Sequence, residues 1–201
     1  MAELDASSMR TALGALVPIP AEQWLEVERR VRAVEVPKGA LLLRQGEPVN
    51  WLGFLERGLL RNFQTVGARE VNLSFEREGG YVGAFAAYVQ RTPAATGIQA
   101  LEDCRVVRFE RAQLDALLTG HPCWRELFGR VSEVELVRRI EEERHARTHT
   151  PEERYAELER SGSYLLRRVP LYHLASYLGV TPETLSRIRA RLGAQDRGAR
   201  S

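Results

Sequence analysis

Lysine is almost absent from this chain of 201 residues: Lys38 stands alone, and arginine fills every other basic position. Residue type therefore says little about the basic groups, and their placement has to carry the argument. Cysteine is as sparse. Cys104 lies in an apolar alternating stretch and Cys123 sits between Pro122 and Trp124, so both read as small buried hydrophobes. Two thiols exclude a disulfide framework and cannot supply the four thiolates of an iron–sulfur cluster. A long apolar run is missing too. Nothing approaches the length of a membrane span, and the start, MAELDASSMRTALGALVPIP, has no basic segment leading into an apolar one. The expectation is a cytoplasmic protein with no membrane partner.

The four histidines are His121, His145, His149 and His173, and none falls between residues 34 and 109, where a metal-holding β-roll enzyme would need them. His145 and His149 stand four apart on a helical pattern and make half a metal site, without a third ligand. There is no glycine-flanked serine elbow and no phosphate loop, and Glu76, Glu78 and Glu102 have no partner that the sequence reveals. Neither a catalytic site nor a bound metal is expected, and a cofactor cannot be named.

What is present begins with an ordinary globular composition, 44% apolar and 28% charged, enough for one good core and a second small domain. The most informative stretch is Val169 to Leu192, VPLYHLASYLGVTPETLSRIRARL. Leu174, Ala175, Leu178, Val180, Leu185 and Ile188 are spaced to form the core between two short helices. Gly179 falls at the turn, where a positive φ is cheap. Ala175 would be small because it faces the second helix. Thr181, Pro182 and Glu183 make a helix start of hydroxyl cap, first-turn proline and first-turn carboxylate. The pattern is that of a helix-turn-helix, whose second helix would present Thr181, Pro182, Glu183, Thr184, Ser186, Arg187, Arg189 and Arg191 to double-stranded DNA. Charge agrees with this: residues 163–201 carry +5 and the rest of the chain −3, the asymmetry expected when one end meets phosphates.

Upstream, Met9 to Leu16 and Pro20 to Val31 read as two short helices that cap the next segment. From Val34 to Phe109 the pattern changes to short apolar or alternating runs punctuated by glycine, the signature of a sandwich or small barrel. The expected strands are Leu41 to Leu43, Trp51 to Leu55, Leu59 to Phe63, Val71 to Phe75, Ile98 to Ala100 and Arg105 to Phe109, with a hairpin at Gly67. Ala112 to Leu118 and then Pro122 to His145 return to the helical period. In the second of these Trp124, Leu127, Phe128, Val131, Val134, Val137 and Ile140 share one face. That face either packs on the β-domain or joins two copies of the chain. Thr150-Pro151-Glu152-Glu153 is a capping box and a domain boundary. The expected units are 1–121, 122–149 and 150–201.

Taken in order, these pieces resemble bacterial regulators of the cyclic-AMP receptor protein (Crp/Fnr) family. The likeness is most specific in the helix-turn-helix and is visible also in KGALLLRQGEP, YVGAF and ALEDCRVVRF. The resemblance implies an α+β fold: a jelly-roll-like β-roll over 34–109, a dimerisation helix over 122–147 and a DNA-binding domain over 151–201. It also implies a homodimer on a two-fold symmetric site, and it admits RNA polymerase as a further partner. The base-reading positions of the family fall here on Pro182, Glu183 and Arg187, the first of which departs from the usual arginine. In cyclic-nucleotide binders of the family, the loop after the glycine matching Gly83 holds a carboxylate for the ribose and an arginine and hydroxyl for the phosphate. Those positions are Ala84, Ala94 and Ala95 here, so cyclic AMP is not the expected effector. The pocket would be built from Gly83, Ala84, Phe85, Arg91, Ala94, Ala95 and Thr96. The tail GAQDRGARS replaces the β-hairpin wing of many members, so the DNA domain is expected to be shortened. The competing reading is a small-molecule-binding β-roll whose last domain contacts protein rather than DNA.

Overall fold

A computed structural model describes residues 7–198. Two helices, α1 (Ser7–Gly14) and α2 (Ala21–Arg30), precede eight strands: β1 (Arg32–Val36), β2 (Leu41–Leu43), β3 (Trp51–Arg57), β4 (Leu59–Val66), β5 (Arg69–Arg77), β6 (Tyr81–Val82), β7 (Gly97–Ala100) and β8 (Cys104–Glu110). A short helix, α3 (Phe85–Gln90), interrupts them, and α4 (Arg111–Gly120), α5 (Pro122–Thr148), α6 (Pro151–Arg160), α7 (Leu165–Arg168), α8 (Leu171–Leu178) and α9 (Pro182–Gly198) complete the described chain. All six expected strands are present. The two additional ones, β1 and β6, close the ends of one sheet.

The strands form two antiparallel four-stranded sheets, ordered β1-β8-β3-β6 and β2-β7-β4-β5. Phe54 and Leu55 of β3 and Val106 and Val107 of β8 are all buried, and because neighbours point to opposite faces this sheet is covered on both sides. Trp24 of α2 meets Trp124 of α5 edge-on at 5.3 Å, so the N-terminal helices close the roll against the start of the long helix. Gly83 has φ +141°, and a Cβ there would come within 2.8 Å of Leu52, so the turn into α3 requires glycine.

Only the first half of α5 is covered by the β-domain. Trp124 and Leu127 are buried, while Val134, Val137 and Ile140 are exposed by about half or more, as is Leu136. The capping box at Thr150 forms as expected, with the Glu153 N–H donating to Thr150 Oγ1 at 3.3 Å and the Thr150 N–H to Glu153 Oε2 at 2.8 Å. Two details differ from the sequence expectations. Cys123 is half-buried rather than buried, its thiol 2.8 Å from Gln23 Oε1. The last helix does not end at Leu192 but runs on to Gly198. Part of the tail is therefore helical, and no strand succeeds β8 among the described residues; 199–201, with Arg200, lie outside them.

A second core is shared between the domains. Leu59, Phe75 and Leu101 of the β-roll pack with Tyr155, Leu165, Val169, Leu174, Ala175, Leu178, Leu185 and Ile188. Nothing in the sequence signals this joint core.

Candidate functional site

The helix-turn-helix has the geometry its sequence requires. Gly179 closes α8 at φ +78°, its N–H donating back to Ala175 and Ser176 carbonyls. The Thr184 N–H donates to Thr181 Oγ1 at 3.2 Å, so Thr181 caps α9. Leu174, Ala175, Leu178, Leu185 and Ile188 are buried and Val180 half-buried. Around this core the eight candidate DNA-reading residues separate into two groups. Pro182, Glu183, Ser186 and Arg187 are exposed on the first turns of α9, where a helix inserted into a major groove presents its readers. Thr184 is half-buried and accepts from Arg187 Nη2 at 3.2 Å. Arg191 instead forms an ion pair with Glu152 at the start of α6, and Arg189 lies beside the Tyr155 hydroxyl. Both hold α9 against α6 in this conformation.

The other side of the module is docked on the β-roll. Strand β5 is a sheet edge, and α8 covers it. The Asn72 N–H donates to Ser176 Oγ at 3.0 Å, and that hydroxyl donates to the Glu70 carbonyl at 3.3 Å. Side-chain bonds thus replace the missing strand. Asn72 Nδ2 also donates to the His173 carbonyl at 3.1 Å. Arg61, buried below them, reaches Gln99, Asn72 and Glu70. Beside this cluster Arg168 forks onto two carboxylates, Glu78 at 2.7 and 2.8 Å and Glu102 at 2.6 and 2.9 Å. Two of the three acids that had no partner in the sequence, Glu78 and Glu102, find one here.

The opposite face of the same sheet lines a cavity of about 600 Å³ that runs along α5 from Trp124 to Arg139. Gly83, Ala84, Phe85, Ala95 and Thr96 lie on its wall. Arg91 does not: it is exposed and caps α3 in a left-handed conformation, φ +57°. Ala94 is also off the wall, buried and exchanging backbone hydrogen bonds with Gly46 and Glu47. The wall is chiefly apolar, with Leu52, Phe54, Phe109, Leu127, Phe128 and Val131 prominent. Its polar end is a chain across β4, β5 and α5. Asn62 Nδ2 donates to Ser74 Oγ at 2.9 Å, Ser74 lies 3.4 Å from Glu76, and Arg138 donates to Glu76, Glu135 and Glu142 at 2.7 to 2.9 Å. Burial pushes the Glu76 carboxyl up to about 7 in spite of Arg138. Arg138 loses by burial, but its three carboxylates hold its pKa above the ordinary arginine value. Of this group, the sequence carries a signal for Arg138 alone: it stands four residues after Val134, a cation inside the apolar stripe of α5. Asn62 and Ser74 look like any polar strand residue.

His145 and His149 stack at 4.1 Å, with His145 Nε2 2.5 Å from Glu157. Among the described residues no group of three or more histidine, cysteine or carboxylate side chains is arranged to hold a metal ion. Among the described residues no helix is long and apolar enough to cross a membrane.

The β-domain thus has a hollow closed by a helix and is joined to a helix-turn-helix, an arrangement similar in fold to the solved structure of a putative transcriptional regulator of the Crp/Fnr family from Eubacterium rectale, with a TM-score of 0.70 at 12% identity, covering 88% of this chain and 85% of that one. Residues 33–121 match the model of the cyclic nucleotide-binding domain family. Among solved structures, FixK2 from Bradyrhizobium japonicum superposes with a TM-score of 0.69 at 18% identity, covering 83% of this chain and 86% of that one. The c-di-GMP-responsive global regulator CLP of Xanthomonas campestris gives 0.69 at 16%, covering 96% and 93%. The catabolite activator protein of Thermus thermophilus gives 0.52 at 21%, covering 92% and 88%. At these identities the likeness is one of fold. No curated protein matches the chain by sequence.

Proposed function

We propose that the protein is a dimeric, sequence-specific DNA-binding transcription regulator of the Crp/Fnr type, with no catalytic activity of its own. The carrying observation is the exposed first turn of α9, where Pro182, Glu183, Ser186 and Arg187 project from a capped and well-buried helix-turn-helix. Arg187 suits a fork onto guanine O6 and N7, and Glu183 an acceptor for cytosine N4. The exposed apolar residues of the second half of α5 supply the surface on which two copies would pair. Such pairing sets two reading helices one helical turn of DNA apart.

The test is selection from a random duplex pool with the full chain and no added effector, at stated near-physiological salt. The expected product is a two-fold symmetric site with half-sites about 10 base pairs apart. Arg187→Ala should lower affinity for that site by about 1–3 kcal/mol and relax one base position while folding stays intact. If the last domain served protein contacts only, the pool would yield no motif from folded protein. That result would remove the DNA reading for the effector-free protein; repetition in the presence of a ligand of the β-domain cavity then decides whether an effector is required.

A further inference from the structure

The walls of the cavity define what can enter it. Its basic residues are Arg138 and Arg139, both on α5, and the segment from Gly83 to Thr96 places no cation on the wall. Arg138 already serves Glu76, Glu135 and Glu142. The charged side chains on the wall are thus two carboxylates, Glu76 and Glu135, against two guanidiniums, with no net charge. A phosphate or carboxylate head would give up its hydration in a chiefly apolar cavity with no net charge to offset that cost.

Two hydrogen-bond donors are nevertheless unfilled. The Arg138 Nε–H and the indole N–H of Trp124 are both buried without an acceptor among the described residues, and both side chains line the cavity. A buried donor left unmade costs stability. They lie fourteen residues apart on one helix, about 20 Å at 1.5 Å per residue. Between them the lining is aromatic and aliphatic. A volume of about 600 Å³ falls within the usual range for small-molecule sites, about 300–1,000 Å³.

We propose that this cavity binds an uncharged, elongated small molecule with an apolar body and a hydroxyl end, of the class of long-chain alcohols or alkyl-substituted phenols. The hydroxyl donates its proton to the Glu76 or Glu135 carboxylate at the polar end of the cavity. The body lies along Phe85, Leu127, Phe128 and Val131. A hydroxyl satisfies this end because it donates without adding charge. The inference rests on reading the β-domain as the effector-binding part of a regulator, and it names the class of effector.

The experiment uses the full chain without DNA. Binding of the neutral fluorophore N-phenyl-1-naphthylamine is followed by its emission, and 1-decanol, decanoate and cyclic AMP are compared as competitors. Decanol is expected to displace the fluorophore at a concentration at least tenfold lower than decanoate, and cyclic AMP not to displace it. Val131→Trp and Ala84→Trp, on separate elements, are each expected to lower fluorophore affinity at least tenfold with unchanged far-UV circular dichroism. Should either variant fail to fold, the other reports the location, and competition on the unmodified chain still decides the ligand class. Displacement by decanoate or cyclic AMP at or below the decanol concentration overturns the proposal. So does wild-type affinity in a folded cavity-filling variant, or a fluorophore that does not bind. DNA selection contains no such ligand in its first round, so failure of the regulator reading and failure of this one remain separate results.

Discussion

His173 shows how far a single side chain depends on residues remote in sequence. Its Nδ1 lies 3.4 Å from Arg61 Nη1 and 3.2 Å from Asn72 Nδ2. Two donors face one nitrogen, so that nitrogen must accept and the ring is neutral with its proton on Nε2. Burial first, and then the Arg61 charge, depress its pKa to about 4. Through the sheet, Glu76 is displaced the other way, to about 7, by its own burial. The two titrations act on stability with opposite sign. A depressed histidine leaves the unfolded chain binding more protons between pH 6.5 and 4, so its contribution is present above 6.5 and lost as pH falls toward 4. A raised carboxyl leaves the folded chain binding more, so its contribution is present below 4.5 and lost as pH rises through 7. At about 1.4 kcal/mol per unit, each amounts to at most about 3–4 kcal/mol. Over the shared window they offset one another. The wild type should therefore show a nearly flat stability profile between pH 4.5 and 6.5 by urea unfolding. Glu76→Gln should expose a rise with pH over that range and His173→Gln a fall. Retention of the flat profile by both variants would rule out these assignments, and because slopes are compared, a uniform loss of stability in either variant does not confuse the result.

At the scale of elements, α5 carries two faces in succession. Its apolar stripe continues past the end of the β-domain, so that Val137 and Ile140 are 61% and 54% exposed. Substituting both by aspartate should leave the monomer fold within about 0.5 kcal/mol, since neither packs on the chain itself. The pair should convert a dimer to a monomer in size-exclusion chromatography with light scattering, and lower affinity for a two-fold site by about a hundredfold or more through lost avidity. A monomeric wild type, or a double variant that still dimerises, refutes this face as the joint. The sequence made α5 legible because its period persists along the helix, and the same holds for the helix-turn-helix, where caps, glycine and apolar spacing agree. It could not divide the stripe of α5 into covered and uncovered halves, because that depends on where the β-domain ends in space. Strand β6 escaped because it is two residues long and is defined only by pairing to Gly53 and Phe54. Arg91 looked like a pocket residue from proximity alone; the left-handed cap of α3 turns it away.

Over the whole molecule the decisive feature is one sheet with two clients. Asn62, Ser74 and Glu76 of β4 and β5 belong to the cavity wall and its polar chain, while Arg61, Asn72 and Phe75 of the same strands hold α8. An irregularity in the pairing between Asn62 and Phe63 makes this possible. It shifts the alternation of β5 so that both Phe75 and Asn72 face the helix. These contacts join residues as far apart as 112 positions, which no local pattern could announce. The rim of the docked surface is fixed by Arg168, whose two forks to Glu78 and Glu102 span 90 and 66 residues. Glu78 responds as a partner should, with hydrogen bonding from Arg168 lowering its pKa. Lysine cannot reproduce the forks, so Arg168→Lys should weaken docking without removing the charge. The Asn72 amide reports it directly, since its acceptor is Ser176 Oγ on α8 and is lost when the domains part. At about 1.4 kcal/mol lost, the open fraction rises about tenfold, so Asn72 hydrogen exchange should accelerate by about that factor. The amides of β3 and β8, deep in the roll, should not change. Equal acceleration throughout would mean that Arg168 supports global stability instead, and an unchanged Asn72 amide would mean that the shared apolar core holds the domains without it.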